Sequence, residues 1–158
     1  MKAVVDTEIW VFAKKRPLKS KFRSEGEYTK FLKAHVVAQE FFREVFPKLK
    51  VYMTTHQLAE IFHVLSFRGA RVPLSESIRL VKLIVEDPGI VKVPVTCEHV
   101  RLAAELSAKT GIHIWDFLCI LPVAGLVDVV FSCDKHFLEI GRLLGIRVEN
   151  PIPIWVST

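Results

Sequence analysis

What the chain lacks narrows its chemistry quickly. Its three cysteines, Cys97, Cys119 and Cys133, are far apart and form no CxxC. A disulfide framework or zinc site is therefore not expected, and they read as buried thiols. Neither GxGxxG nor GxxxxGK[ST] is present, which removes the dinucleotide and P-loop readings. The first apolar run is broken by Asp6 and Glu8, and no stretch approaches the roughly 18 to 20 apolar residues of a membrane span. With no secretory signal or span in view, a cytoplasmic protein with no membrane association is expected. His35, His56, His63, His99 and His113 show no ligand spacing. No internal repeat or linker divides the 158 residues, so one domain over 1–158 is expected. At that length folding buries roughly 70% of the unfolded surface, enough for a genuine core.

What the chain has is apolar mass and local positive charge. Hydrophobic residues make up 51% and mean hydropathy is +0.32. That is more apolar surface than one core hides, so partner surfaces are expected. Twenty-two Lys and Arg face 17 Asp and Glu, for a net charge of +5. Six of the cations (Lys14, Lys15, Arg16, Lys19, Lys21 and Arg23) lie in one stretch without an acid. The remaining 16 fall one short of the 17 acids. The excess is local, and the segment at about 14–23, which contains Pro17, reads as a basic loop suited to a polyanion.

Val- and Ile-rich runs alternate with segments of helical period, the pattern of strand–helix units around a parallel sheet. Strands are predicted at Ala3–Val5, Val51–Met53, Ile90–Val95, Val129–Phe131 and Ile146–Val148, with Pro94 placing the third at an edge. Ser24 with Glu27 opens a long helix that ends at Pro47, and Thr54 with Gln57 opens the helix carrying Leu58, Ile61, Phe62 and Leu65. Helices are also expected at Ser75–Val85, Glu98–Lys109, Ile114–Leu126 (kinked at Pro122) and Lys135–Leu144.

In an open parallel sheet, ligands bind beyond the carboxyl ends of the strands. Asp6 directly follows the first strand and Asp134 follows the Val129–Phe131 strand, so both belong on that rim. Asp128 precedes its strand and belongs at the opposite end. Glu60 and Asp116 sit near the starts of helices that can face the same rim. Asp6 and Asp134 also suit helix N-caps. Two carboxylates 5 Å apart at an effective dielectric near 20 repel by roughly 3 kcal/mol, so a cluster of four requires something positive. An oxygen donor set selects a hard divalent ion, Mg²⁺ or Mn²⁺, which can bind a phosphate oxygen and acidify water.

Four fragments then stand in order: Val4-Val5-Asp6-Thr7, Thr54-Thr55-His56-Gln57-Leu58-Ala59-Glu60-Ile61, Ile114-Trp115-Asp116 and Val130-Phe131-Ser132-Cys133-Asp134-Lys135-His136-Phe137. In these the chain resembles the PIN-domain family of metal-dependent ribonucleases, and in particular the VapC-like toxins of toxin–antitoxin pairs. The resemblance implies a three-layer α/β/α fold with a central five-stranded parallel sheet. It implies a phosphodiesterase site of Asp6, Glu60, Asp116 and Asp134, with Asp6 and Asp116 as main metal ligands and Asp134 binding directly or through water. Glu60 would position or deprotonate the attacking water, and Thr7 and Ser132 would support the acids. His136 stands where many relatives carry another acid, and reads as a solvated surface histidine. Trp10, Trp115 and Trp155 read as core or interface, not as stacking platforms.

The expected function is a Mg²⁺- or Mn²⁺-dependent endoribonuclease, the toxin of a toxin–antitoxin pair, with the six cations of the basic loop guiding RNA. The alternative is a non-catalytic PIN-like domain that binds RNA or protein. A response-regulator phosphoacceptor fits poorly, because the acidic pair it needs is missing. Expected partners are RNA, a second copy of the chain through apolar helix faces, and a small antitoxin.

Overall fold

A computed structural model describes residues 1–157. Five strands form one parallel sheet: β1 (Lys2–Val5), β2 (Lys50–Thr54), β3 (Ile90–Val93), β4 (Val129–Phe131) and β5 (Arg147–Glu149), in the spatial order β3-β2-β1-β4-β5. Ala3 lies opposite Val51 on one side and Val129 on the other. The chain winds one way from β1 to β2 and β3, then the other way to β4 and β5. The order therefore reverses at β1, and the carboxyl end of β1 beside β4 is the crevice where such sheets take ligands.

Strand periodicity sends alternate residues to opposite faces. Ala3 and Val5 join a core with α1 (Thr7–Lys14), α2 (Glu25–Glu44), α3 (Thr55–Phe67) and α4 (Leu74–Glu86). That core includes Trp10, Phe41, Ile61, Leu65 and Ile84. Val4 faces the other way, into a core with Ala103 of α5 (Cys97–Thr110), Phe117 of α6 (Ile114–Ile120) and Ile140 of α7 (His136–Leu144). The result is the three-layer α/β/α arrangement expected. No helix among the described residues is long and apolar enough to cross a membrane.

The helix starts follow their local chemistry. Ser24 accepts from the Glu27 amide and Thr54 from the Gln57 amide, as their spacing predicts. Thr96 caps α5 reciprocally with His99, a histidine version of the capping box. Gly111 and Gly145 close α5 and α7 with φ of 76° and 68°, the left-handed conformation that glycine adopts without strain.

Four expectations need correction. The helix predicted over Ile114–Leu126 stops at Ile120 and tightens into a 3₁₀ turn at Leu121–Val123, because Pro122 has no amide hydrogen to continue the ladder. Cys119 and Cys133 are buried but Cys97, in the first turn of α5, is exposed. The basic segment is only partly a loop: α1 runs through Lys14, and Lys19–Lys21 forms a 3₁₀ turn. The last strand lies one residue later than predicted.

Gly141 lets α7 sit against β5. A Cβ there would lie 2.5 Å from Val148 Cγ2 and 2.7 Å from the Ile146 carbonyl oxygen, distances that force movement of backbone. Gly141→Ala is expected to destabilise the fold by about 2 kcal/mol, lowering the melting temperature by about 6 °C. Thermal unfolding followed by circular dichroism measures it, and an unchanged melting temperature would show that α7 shifts freely.

Candidate active site

The carboxyl edge of β1 carries the first acid. Val5 ends the strand, and its carbonyl accepts from the Gln57 side-chain amide (2.6 Å) and the Trp10 indole (3.2 Å). The Asp6 amide donates to the Phe131 carbonyl of β4 at 2.9 Å. Asp6 occupies the N-cap position of α1, yet its carboxylate does not cap that helix. Instead Asp6 Oδ2 accepts from the Ser132 hydroxyl at 2.7 Å, while Ser132 Oγ accepts from the Asp134 amide at 3.0 Å. One buried hydroxyl thus ties two acids across the sheet. Thr7 plays the matching part for Glu60, donating to its Oε2 at 2.6 Å.

Asp134 Oδ1 accepts from the His136 amide at 2.9 Å, so this acid does serve the start of α7. Its loop is held from outside by the C-terminal segment: Lys135 donates to the Val156 carbonyl and Val156 to the Cys133 carbonyl. Asp128 lies at the opposite end of the sheet, accepting from the Lys2 amide.

Asp6, Glu60, Asp116 and Asp134 line one cavity of about 190 Å³, together with Thr7, Glu8, Val64, Arg68, His113 and Trp115. All four predicted acids are therefore brought together, with Thr7 in the same wall. Burial holds the Asp6 carboxyl well above its usual range; the Ser132 hydrogen bond opposes this, and Glu8, Glu60 and Asp116 add to it. Asp116 is pushed up to about 6, first by burial and then by Asp134, against the pull of His136. No Lys or Arg forms an ion pair with Asp6, Glu60 or Asp116 among the described residues.

Several neighbours escaped the sequence reading. His136 is not a solvated surface side chain: its Nδ1 lies 3.2 Å from Asp116 Oδ2 and 3.7 Å from Asp134 Oδ1. His113 stands beside it, with ring centroids 6.2 Å apart. Glu8, in the first turn of α1, lines the cavity and titrates above its usual range through burial and the nearby Asp134 and Glu60, while Arg68 and Lys15 pull it back. An acid two residues after Asp6 was the available signal. Cys119 donates to Glu60 Oε2 at 3.4 Å. Of the three tryptophans, Trp10 is core, whereas Trp115 and Trp155 are exposed.

The basic segment divides. Lys15 Nζ donates to the Val64 and Arg68 carbonyls, and Lys19 pairs with Glu25. Lys14, Arg16, Lys21 and Arg23 are exposed and form no ion pair among the described residues.

The donor chemistry fits a divalent cation. One ligand atom each from Asp116, Asp134 and His136 lie within 4.8 Å of one another, and so do His56, Glu60 and Cys119. The first group, with two hard oxygens and an imidazole beside further acids, suits Mg²⁺ or Mn²⁺, the nitrogen favouring the latter.

A parallel five-stranded sheet between two helical layers, with acids gathered at its switch point, is the architecture of PIN-domain proteins. Solved structures bear this out. VapC20 of Mycobacterium tuberculosis, described as a sarcin–ricin loop cleaving toxin, superposes with a TM-score of 0.60 at 15% identity, over 89% of this chain and 95% of its own. A chain of VapBC-1 from nontypeable Haemophilus influenzae gives 0.54 at 18% identity, over 96% and 98%. A chain of FitAB bound to an IR36 DNA fragment gives 0.52 at 13%, over 94% of each. The likeness establishes the fold: this chain has the PIN-domain fold. No protein-family model and no curated protein matches the sequence.

Replacing one acid tests the electrostatics directly. Asp116→Asn is expected to stabilise the chelator-treated protein at pH 7 by about 2 to 3 kcal/mol, the equivalent of a carboxyl raised from 3.8 to about 6. The sign follows from proton uptake. Between those two values the folded wild type binds more protons than the unfolded chain, so its stability falls as pH rises through about 6. The gain in the variant is therefore full above that value and vanishes below the unfolded one. Paired denaturation curves at pH 4 and pH 7.5 measure it, and an equal difference at both pH values would refute it.

Proposed function

We propose that the chain is a divalent-metal-dependent endoribonuclease and the toxin of a toxin–antitoxin pair. The observation that carries this reading is the convergence of Asp6, Glu60, Asp116 and Asp134, from four separate segments, on one cavity at the switch point of the sheet. A bound Mg²⁺ or Mn²⁺ would polarise a phosphate oxygen and acidify water for in-line attack on a phosphodiester. Asp116, Asp134 and His136 would hold it, with Asp6 completing the anionic wall. Glu60, held by a hydrogen bond from the Thr7 hydroxyl, would orient the attacking water and accept its proton. Ser132 keeps Asp6 and Asp134 in register, and burial of the cluster makes each interaction stronger than it would be in water.

RNA is the proposed substrate and the cytoplasm the proposed location. The exposed Lys14, Arg16, Lys21 and Arg23 supply positive charge for its backbone, and Lys15 and Lys19, already engaged, contribute less than the sequence expectation. An antitoxin partner is proposed by analogy with the VapBC-1 and FitAB assemblies. Self-association is supported by the exposed Leu74, Ile78 and Val85, which share one face of α4.

Purified protein is expected to cleave single-stranded RNA with Mn²⁺, and more slowly with Mg²⁺ at equal concentration. EDTA, Asp6→Asn and Asp116→Asn should each lower the rate at least about 100-fold, the scale of losing a principal electrostatic group. Gel analysis of end-labelled RNA reads this out. Undiminished cleavage by both variants would remove the site assignment.

A further inference from the structure

The acid cavity opens onto a second one. This neighbour, of about 350 Å³, shares Glu60, Val64, Arg68 and Trp115 with it and adds His56 and His63. Trp115 is 54% exposed although it stands next to Asp116 on α6. Its indole lies parallel to the His56 imidazole, with centroids 5.4 Å apart and planes within 8°. His56 therefore stacks beside a ring that is still 54% exposed. His56 is also one helical turn before Glu60 on α3, so the two rings are carried by the helices that carry two of the acids. Their position relative to the cavity is fixed by that shared scaffold.

The same face of α3 continues the pattern. His56, Glu60, His63 and Phe67 recur at helical spacing, His63 and Phe67 are exposed, and their rings lie 5.7 Å apart. An isolated exposed tryptophan needs no explanation. A stacked tryptophan sharing a wall with a polar cavity, followed by further exposed rings and the Arg68 cation, has the composition of a single-strand nucleic-acid track.

We propose that Trp115, backed by His56, is a stacking platform for the nucleobase next to the phosphodiester held over the acids, and that the strand continues past His63 and Phe67 along α3. This rests on the ribonuclease reading above. The platform is sequence-tolerant, because every base offers a π-face; it positions the strand, and the acids carry the chemistry.

The test is made in the 158-residue chain carrying Asp6→Asn, which is expected to hold RNA without cutting it. The probe is a fluorescein-labelled single-stranded 12-nucleotide RNA of mixed sequence, compared with an abasic strand of equal length by anisotropy. Adding Trp115→Ala should weaken RNA binding about tenfold and leave the abasic strand's affinity unchanged. Trp115→Phe should restore most of the loss, and Phe67→Ala, at an independent exposed site, should produce a smaller one. Equal affinity of Trp115→Ala and its parent for RNA would overturn the platform, as would an equal loss on both strands. A change confined to sedimentation behaviour would also overturn it and assign the face to a protein contact. The two readings fail separately. If the wild type cleaves RNA but Trp115→Ala binds normally, only the platform falls; if the wild type neither binds nor cleaves RNA, the ribonuclease reading falls with it.

Discussion

Mutual repulsion among buried carboxylates is the constraint around which this molecule is arranged. Asp6 and Asp134 are almost fully buried, and Asp116 and Glu60 are half-buried in the same wall. Desolvation and like charge both penalise their ionised forms. Such a cluster costs stability when fully ionised, and a proton or a bound cation relieves that cost. His136 is a partial answer: it lies against Asp116 and Asp134, and its pull on Asp116 is smaller than the push of burial.

Holding repelling groups in place requires a stiff frame, and the sheet provides it. Asp6 and Asp134 emerge from adjacent parallel strands whose register is set by Val4 opposite Val130 and Val5 opposite Phe131. Ser132 then bridges the two acids, and Thr7 and Gln57 tie α1 and α3 to the same edge. Removing any one of these ties loosens the placement of an acid without touching the acid. The helices outside the sheet supply the apolar weight: Trp10, Phe42 and Phe46 cluster on one side with centroids 4.5 to 5.4 Å apart, Trp10 and Phe46 edge to face and the other two pairs tilted.

Much of this was legible in the chain. Strand runs rich in Val and Ile, capping residues at Ser24 and Thr54, and glycines at 111 and 145 located most elements, and Pro94 correctly marked an edge. Asp6 and Asp134 could be placed because the parallel-sheet rule concerns strand ends, visible as the end of an apolar run, and Glu60 and Asp116 because they lie near the starts of helices. The site's other members were not legible for a physical reason. His136, His113 and Trp115 act through contacts between elements far apart in sequence, and local pattern carries no trace of which side chains a fold will bring together. Lys15 illustrates the converse: a cation in a basic run looks free, yet its amine is held by two carbonyls at the end of α3.

The imidazole and tryptophan at the rim also explain why composition alone misleads here. A net charge of +5 suggests a basic protein seeking a polyanion, whereas the site is acidic and its surroundings aromatic. Arg68 in the cavity wall and His136 beside Asp116 and Asp134 bring some positive charge to the acids, and a bound cation would supply more. Isothermal titration of Mn²⁺ into chelator-treated protein at pH 7 therefore tests the central claim most directly. The account predicts saturable binding to the wild type that Asp116→Asn abolishes. Heats of dilution alone in the wild type, or the same isotherm in the variant, would contradict it.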